Sequence, residues 1–355
     1  MPLFGRRRRR RSRRWWRVLT PGLSVAGLLA GGGGYLGGLF DLRSLDDEPP
    51  GPTATVADPV GDNGEGVAAS AKPTIRIATF NVQTFGQKKV ADDVVMSRLV
   101  DIVRRFDVIA VQEIRGNELT PLRRLLDDLR TAGHSYAAVV SDPIGRDRYR
   151  ERYAFVWNRR TVELLAGTDY VVDDPADRLI REPMVASFRC RIDSAEPVDV
   201  VERQPFSFTL INCHTSPDEV AASAAENEMD VLDDVMRSVV RYASMTTGED
   251  DVILLGDLNV DDRSMRQLGG IPDVRTVVRG RPTNTRRTRT YDHLLIDGRR
   301  TTEYTGRWGV FDVSRALKLS EDEALAVSDH LPVWAEFAAE EAGPVRMAVR
   351  TRVMR

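Results

Sequence analysis

From Thr74 onward the chain alternates short apolar runs with segments whose apolar residues recur at helical spacing. Residues 75–80, 108–112, 153–157, 185–190, 206–213, 252–255, 291–296 and 333–337 predict strands. Each is short, rich in β-branched or aromatic side chains, and bounded by polar or turn residues. Helical spacing predicts helices over 90–106, over 119–129 with Pro121 in the first turn, and from about 218 to 242. Strands outnumber helices and several follow one another directly. That order predicts mixed sheets packed together, not one doubly wound parallel sheet. The folded body is expected to span 74–340.

The flanks read differently. Residues 1–17 carry nine Arg and no acid, and residues 18–40 are uncharged. As a helix the uncharged stretch would span about 34 Å, against a bilayer core of roughly 30 Å. An uncleaved signal anchor, a cleaved signal peptide and a basic arm all remain open. No small-residue cleavage site follows the apolar core, which favours the anchor; the positive-inside rule then puts the folded body outside the cytoplasm. Residues 41–73, with Pro49-Pro50-Gly51-Pro52, read as a disordered linker, and 341–355 as a basic tail.

Charge changes the picture of any substrate. The formal net charge is -2, but 13 of the 51 basic residues lie in the two end segments, with only Glu341 among the acids. The remaining 38 basic residues face 52 acidic ones, a net of -14. Such a body does not bind a polyanion by bulk attraction. A nucleic acid would need local Arg clusters and bound cations. The two cysteines, Cys190 and Cys213, imply no disulfide framework.

Four apolar strands end in polar residues: Ile77-Ala78-Thr79-Phe80-Asn81, Ile109-Ala110-Val111-Gln112-Glu113, Ile253-Leu254-Leu255-Gly256-Asp257-Leu258-Asn259 and Val327-Ser328-Asp329-His330. Strand ends can converge on one crevice. Asn, Glu and Asp are hard oxygen ligands suited to Mg2+ or Mn2+, which bridge to phosphate oxygens. Two of the four histidines, His214 and His330, follow strands within polar signatures and suit proton transfer near neutral pH. No Cys/His quartet has zinc spacing.

These segments, in this order, resemble the endonuclease/exonuclease/phosphatase superfamily, and within it deoxyribonuclease I. Asn81, Gln112-Glu113, Gly256-Asp257-Leu258-Asn259 and Ser328-Asp329-His330 carry the general likeness. Phe80-Asn81-Val82-Gln83-Thr84-Phe85-Gly86, Tyr149-Arg150-Glu151-Arg152-Tyr153, Arg181-Glu182-Pro183, His214-Thr215-Ser216-Pro217 and the run from Glu323 to His330 carry the particular one. The resemblance implies an α+β fold, a four-layer sandwich of two packed mixed β-sheets flanked by helices. It implies that Glu113 and Asp329 hold a divalent cation, and that Asp257, Asn81 and Asn259 position the phosphate and a second cation. His214 and His330 would be acid and base in an order left open, oriented by Glu151 and Asp292. Arg115, Arg146, Tyr149 and Arg181 would contact the substrate.

The implied activity is a divalent-metal-dependent, sequence-nonspecific DNA endonuclease leaving 5′-phosphate and 3′-hydroxyl ends. A phosphodiesterase or phosphatase acting on a lipid headgroup or small phosphate ester is the alternative. A noncatalytic binding module is the third reading, and the complete set of polar strand-end residues argues against it. DNA as substrate and a membrane through 18–40 are the expected partners; no protein partner is predicted. Some family features are changed. Gln83 replaces a phosphate-touching Arg, and Arg286 and Arg287 occupy a Thr-rich loop, 283–289, where calcium would need oxygens. Asp173, Asp174 and Asp177 form a second candidate calcium loop. Arg279, Arg281, Arg286, Arg287 and Arg289 could form a DNA-facing rim or a solvated loop.

Overall fold

The computed structural model describes residues 39–40, 73–116, 119–146, 150–192, 204–224 and 226–341. The basic segment, most of the 18–40 stretch, the linker up to residue 72, the tail beyond Glu341, and Tyr149 lie outside the described residues. Among the described residues no helix is long and apolar enough to cross a membrane.

Two sheets form the body. The first contains β1 (Leu39–Phe40), β2 (Thr74–Phe85), β3 (Val108–Ile114), β4 (Tyr136–Val140), β5 (Arg152–Asn158), β13 (Tyr304–Val310) and β14 (Val333–Ala338). Its order is β1-β4-β5-β3-β2-β14-β13. The second contains β6 (Val162–Leu164), β7 (Tyr170–Val171), β8 (Met184–Cys190), β9 (Ser207–His214), β10 (Val252–Asp257), β11 (Val274–Thr276) and β12 (Asp292–Asp297). Its order is β11-β12-β10-β9-β8-β6, with β7 also on β8. Only β2/β3 and β9/β10 pair in parallel, so both sheets are mixed, as expected.

The strands are apolar on both faces, and parity decides where each side chain goes. In β9, Phe208 and Leu210 enter the layer between the sheets, where they meet Ile77, Phe155, Phe188 and Val333. Ile211 and Cys213 point the other way, beneath α5 (Glu228–Thr246). In β2, Ile75 and Ile77 face the other sheet, whereas Ala78 and Phe80 pack under α2 (Asp93–Val103) and α3 (Thr120–Thr131). The result is helix, sheet, sheet, helix: the expected four layers. Cys190 and Cys213 are both free thiols buried in this framework.

Several boundaries differ from the sequence pattern, each for a local reason. The helix expected over 90–106 starts at Asp93, because the Asp92 side chain accepts from Val94 N and Val95 N and caps it. A separate four-residue turn, α1 (Gln87–Val90), precedes it. The helix expected from about 218 is broken. α4 (Pro217–Val220) stops at Ala221, whose ψ is 148, and α5 restarts from Asn227, whose side chain accepts from Met229 N. Glu228 explains the restart: its two carboxylate oxygens accept from Ile180 N and Ser216 N on another part of the fold. Leu39 and Phe40, at the end of the uncharged segment, pair as strand with Val139 and Ala138.

Candidate active site

Register assembles the site. β10 lies between β9 and β12, with Asp257 opposite His214 on one side and Asp292 on the other. In the other sheet Asn81 lies opposite Gln112, one residue before Glu113. Gly256 permits the tight β9/β10 approach: it has φ 148, and a Cβ there would stand 1.8 Å from the Cys213 carbonyl oxygen. Glu113 and Asn259 hold φ values of 62 and 51, a left-handed backbone that few non-glycine residues adopt. The Glu113 carboxylate turns to Asn81 Nδ2 and Thr84 N, and the Asn259 amide to Thr215 O.

Two histidine–carboxylate pairs face each other there. His214 Nδ1 lies 2.8 Å from Glu151 Oε1, and His330 Nδ1 lies 2.9 Å from Asp292 Oδ2. Glu151 and Asp292 are fully enclosed. Each carboxylate accepts the Nδ1 proton, which leaves Nε2 of its ring free to accept or, when the ring is charged, to donate. Both Nε2 atoms lie 3.5 Å from Asp257 Oδ2. Burial disfavours a charged His330, but the Asp292, Asp257 and Asp329 carboxylates outweigh it and push the ring up to about 10.

Asn81 extends this row. Its Nδ2 donates to Asp257 Oδ2 at 3.0 Å and to Glu113 Oε1 at 3.1 Å, while its Oδ1 accepts from Gln83 N. Asn81 therefore bridges two carboxylates through its amide nitrogen, and its oxygen is already engaged. Glu113 Oε2 accepts from Thr84 N. Burial alone would raise the Glu113 pKa, but His214, the Thr84 N–H, Asn81 and Arg115 together lower it, so the group is a carboxylate. Asp329 stands at the rim with its side chain half exposed, 3.9 Å from His330 Nε2. Asn259 donates from Nδ2 to Thr215 O, and its N–H donates to Asp257 Oδ1.

The four expected substrate contacts separate. Arg115 reaches Glu151 Oε2 at 3.2 Å and Glu113 Oε2 at 3.6 Å, and donates to Arg150 O. Arg181 is buried, donating to His214 O and Thr215 O, 3.8 Å from Glu151 Oε1. Its place is behind His214, bracing the strand end, and not on the surface. Arg146 bonds Asp177 O, Leu179 O and the Asp177 carboxylate, tying down the 173–179 loop. Tyr149 lies outside the described residues.

Other residues complete the frame. Thr283 Oγ1 donates to Asp292 Oδ2 at 2.7 Å and Ser328 Oγ to Asn81 O at 2.7 Å. Lys89 Nζ donates to Val82 O and Val327 O, tying β2, where its register with β3 shifts between Asn81 and Phe85, to the end of α6 (Glu321–Val327). Burial, opposed by Asp329 and Glu113, lowers Lys89 to about 8. In the Thr-rich loop, Arg286 pairs with Glu321, Arg287 with Asp312, and Thr285 Oγ1 bonds Ser328 O, so ion pairs and hydrogen bonds tie down that loop. The 173–177 acids are not among the close groups of metal-type ligands in the described residues. His293 is turned away, to Thr276 and Val260 O.

Two packed sheets with paired imidazoles, carboxylates and amides at their strand ends define a hydrolase of phosphate esters. The chain belongs to the endonuclease/exonuclease/phosphatase family, whose pattern matches residues 78–330. It is 32% identical over 282 residues to deoxyribonuclease-1 of Bos taurus, covering 73% of this chain and 91% of that one. Deoxyribonuclease-1-like 1 of Homo sapiens is 31% identical over 79% of this chain and 90% of its own. Among solved structures, an endonuclease/exonuclease/phosphatase from Bacteroides vulgatus is 14% identical with a TM-score of 0.49, covering 76% of this chain and all of that one. The likeness to deoxyribonuclease I read from the motifs is borne out.

Proposed function

We propose that this protein is a Mg2+-dependent, sequence-nonspecific DNA endonuclease that leaves 5′-phosphate and 3′-hydroxyl ends. One observation carries the reading: two buried histidine–carboxylate pairs present their Nε2 atoms to the same oxygen of Asp257. A base and an acid on opposite sides of one small space suit in-line displacement at phosphorus. His214 takes the proton of the attacking water at Nε2. His330, held cationic, gives its Nε2 proton to the departing 3′ oxygen as the P–O3′ bond breaks. Glu151 and Asp292 hold the rings in the required tautomers.

Glu113 and Asp329, beside Asp257 and Asn81, would hold the divalent cation; the donors are hard oxygens, and Glu113 is ionised. The cation would supply positive charge against a phosphate oxygen and its developing charge. Mn2+ could replace Mg2+ in such a set. Arg115 is the described guanidinium nearest both the Glu113 carboxylate and the Glu151 pair, which supports a contact to the scissile phosphate. Residues 1–40 support placement outside the cytoplasm, by an anchor or after export.

The test is supercoiled plasmid with full-length protein and Mg2+, with and without chelator, beside His330→Ala. Wild type should nick the plasmid, chelator should stop it, and the variant should be slower by about 10²–10⁴-fold. Intact plasmid alongside cleavage of a lipid or soluble phosphodiester would refute the DNA reading. Equal nicking by wild type and variant would refute the assigned site.

A further inference from the structure

At the other end of the strands a second group of acids converges. Asp251 precedes β10, Glu303 precedes β13 and Glu341 follows β14, so the three come from both sheets. One oxygen of each lies within 4.8 Å of the others. Asp251 and Glu303 are only 5% and 3% exposed. Glu341 Oε1 accepts from Ser207 N, which fixes that side chain.

Asp251 Oδ1 is buried without a hydrogen bond of regular geometry, and the buried Thr301 hydroxyl stands against the same carboxylate. Thr301 is 2% exposed, so water does not reach it readily. An unpaired buried polar atom is costly, and a buried carboxylate without a cation costs more. Among the described residues no Lys or Arg pairs with Asp251. The groups acting on it are Glu303, Glu249, Glu341 and Thr301. Glu249 Oε1 accepts from the Asp250 and Asp251 N–H groups, and Asp250 is paired with Arg300. Burial first, then the Glu303 and Glu249 charges, push Asp251 to about 9. Burial also pushes Glu341 to about 7.

We propose that Asp251, Glu303 and Glu341, with the Thr301 hydroxyl, bind a divalent cation of the calcium type that joins the two sheets at the end remote from the reaction. Oxygens ligating calcium at about 2.4 Å can stand no more than about 4.8 Å apart, and the three oxygens lie within that limit. Ligands from three separate segments also suit an ion that tolerates irregular geometry, whereas magnesium requires a near-ideal octahedron and keeps its waters. The site does not depend on the nuclease reading.

The test is thermal unfolding and titration calorimetry of the full-length Glu113→Gln protein, in which the active-site cation is weakened. Calcium at pH 7.5 should raise the Tm by about 5 °C at a hundredfold excess over Kd, with one equivalent bound. Asp251→Asn in that background should remain folded and lose both the shift and the binding, and Glu303→Gln should behave alike. The alternative is that the carboxyl groups share protons. In that case calcium and magnesium leave the Tm unchanged while lowering the pH from 8 to 6 raises it, and the proposal falls. A calcium shift that survives Asp251→Asn also overturns it.

Discussion

Substituting Glu151 by Gln tests how the site holds the His214 ring in the tautomer that leaves Nε2 open. The two oxygens of Glu151 face different donors: Oε1 meets His214 Nδ1 at 2.8 Å, and Oε2 meets the Arg115 guanidinium at 3.2 Å. Arg115 can only donate, so a Gln oxygen settles against it and the Gln NH2 turns toward His214. The ring then has to accept at Nδ1, which moves its proton to Nε2, the atom that must receive the proton of water. This is the error produced by replacing the orienting Asp of a serine-protease triad with Asn, which lowers kcat about 10⁴-fold. The lost charge-assisted hydrogen bond alone would account for about 1.5–3 kcal/mol, or roughly 10–150-fold. We expect a fall in kcat of about 10³-fold with little change in KM, because Glu151 is enclosed and does not reach substrate. Steady-state nicking with Mg2+ at several DNA concentrations gives both constants. A kcat within threefold of wild type would refute the pairing, and a loss confined to KM would make Glu151 a binding residue.

Two further variants test other parts of the framework. Asp292→Asn removes the first carboxylate holding His330 charged. The His330 pKa of about 10 lies above its ordinary 6.5, so the wild-type contribution to stability is fully present below about pH 6.5 and lost as pH rises through 10. In chelator, the Tm of wild type should therefore fall between pH 7 and pH 10, while that of the variant should be flatter; parallel curves would refute the cause given for the shift. Gly256→Ala should cost at least about 3 kcal/mol, because the new Cβ meets the Cys213 carbonyl oxygen at 1.8 Å on a backbone with φ 148. Denaturant unfolding within about 1 kcal/mol of wild type would show that β9 and β10 do not need that approach.

What was legible in the sequence follows from the range of each interaction. Strands buried on both faces leave compact apolar runs, and the strand-end polar residues stand directly after them, so Asn81, Glu113, Asp257 and Asp329 could be read without the fold. Pairings across long loops were not legible from pattern alone. Glu151 and His214 are 63 residues apart, and Asp292 and His330 are 38 apart. Resemblance suggested those two pairs, and it also gave Arg181 and Arg146 as substrate contacts. The structure instead uses Arg181 on two carbonyls behind His214 and Arg146 on the 173–179 loop. A helical pattern through 221–227 concealed a break because the cause, Glu228 bonding Ile180 and Ser216, is tertiary. Asp251, Glu303 and Glu341 left no signal, since they lie in separate segments, two of them within short acidic runs at 249–251 and 340–341, and only the fold brings them together.

On the proposed nuclease reading, DNA would have to be drawn, in a domain with an excess of carboxylates, to a place where negative charge is already offset. Arg115 supplies that offset, whereas Asn81 only holds the carboxylates in place. Asn81 spans Asp257 and Glu113 with a neutral amide, holding two carboxylates within reach of one nitrogen without neutralising either. Arg115 puts a positive charge between Glu113 and Glu151, joining the cation-holding end of the site to the His214 end. If, as the family resemblance implies, Gln83 stands in place of a phosphate-touching Arg, more of the phosphate attraction would fall on Arg115 and on the proposed cation. Electrostatic capture should therefore depend on divalent cation more steeply than on monovalent salt. DNA binding by a catalytically weakened His330→Ala protein should strengthen on addition of Mg2+ at constant ionic strength. If chelator leaves that binding unchanged, the cation serves chemistry alone and another basic surface holds the DNA.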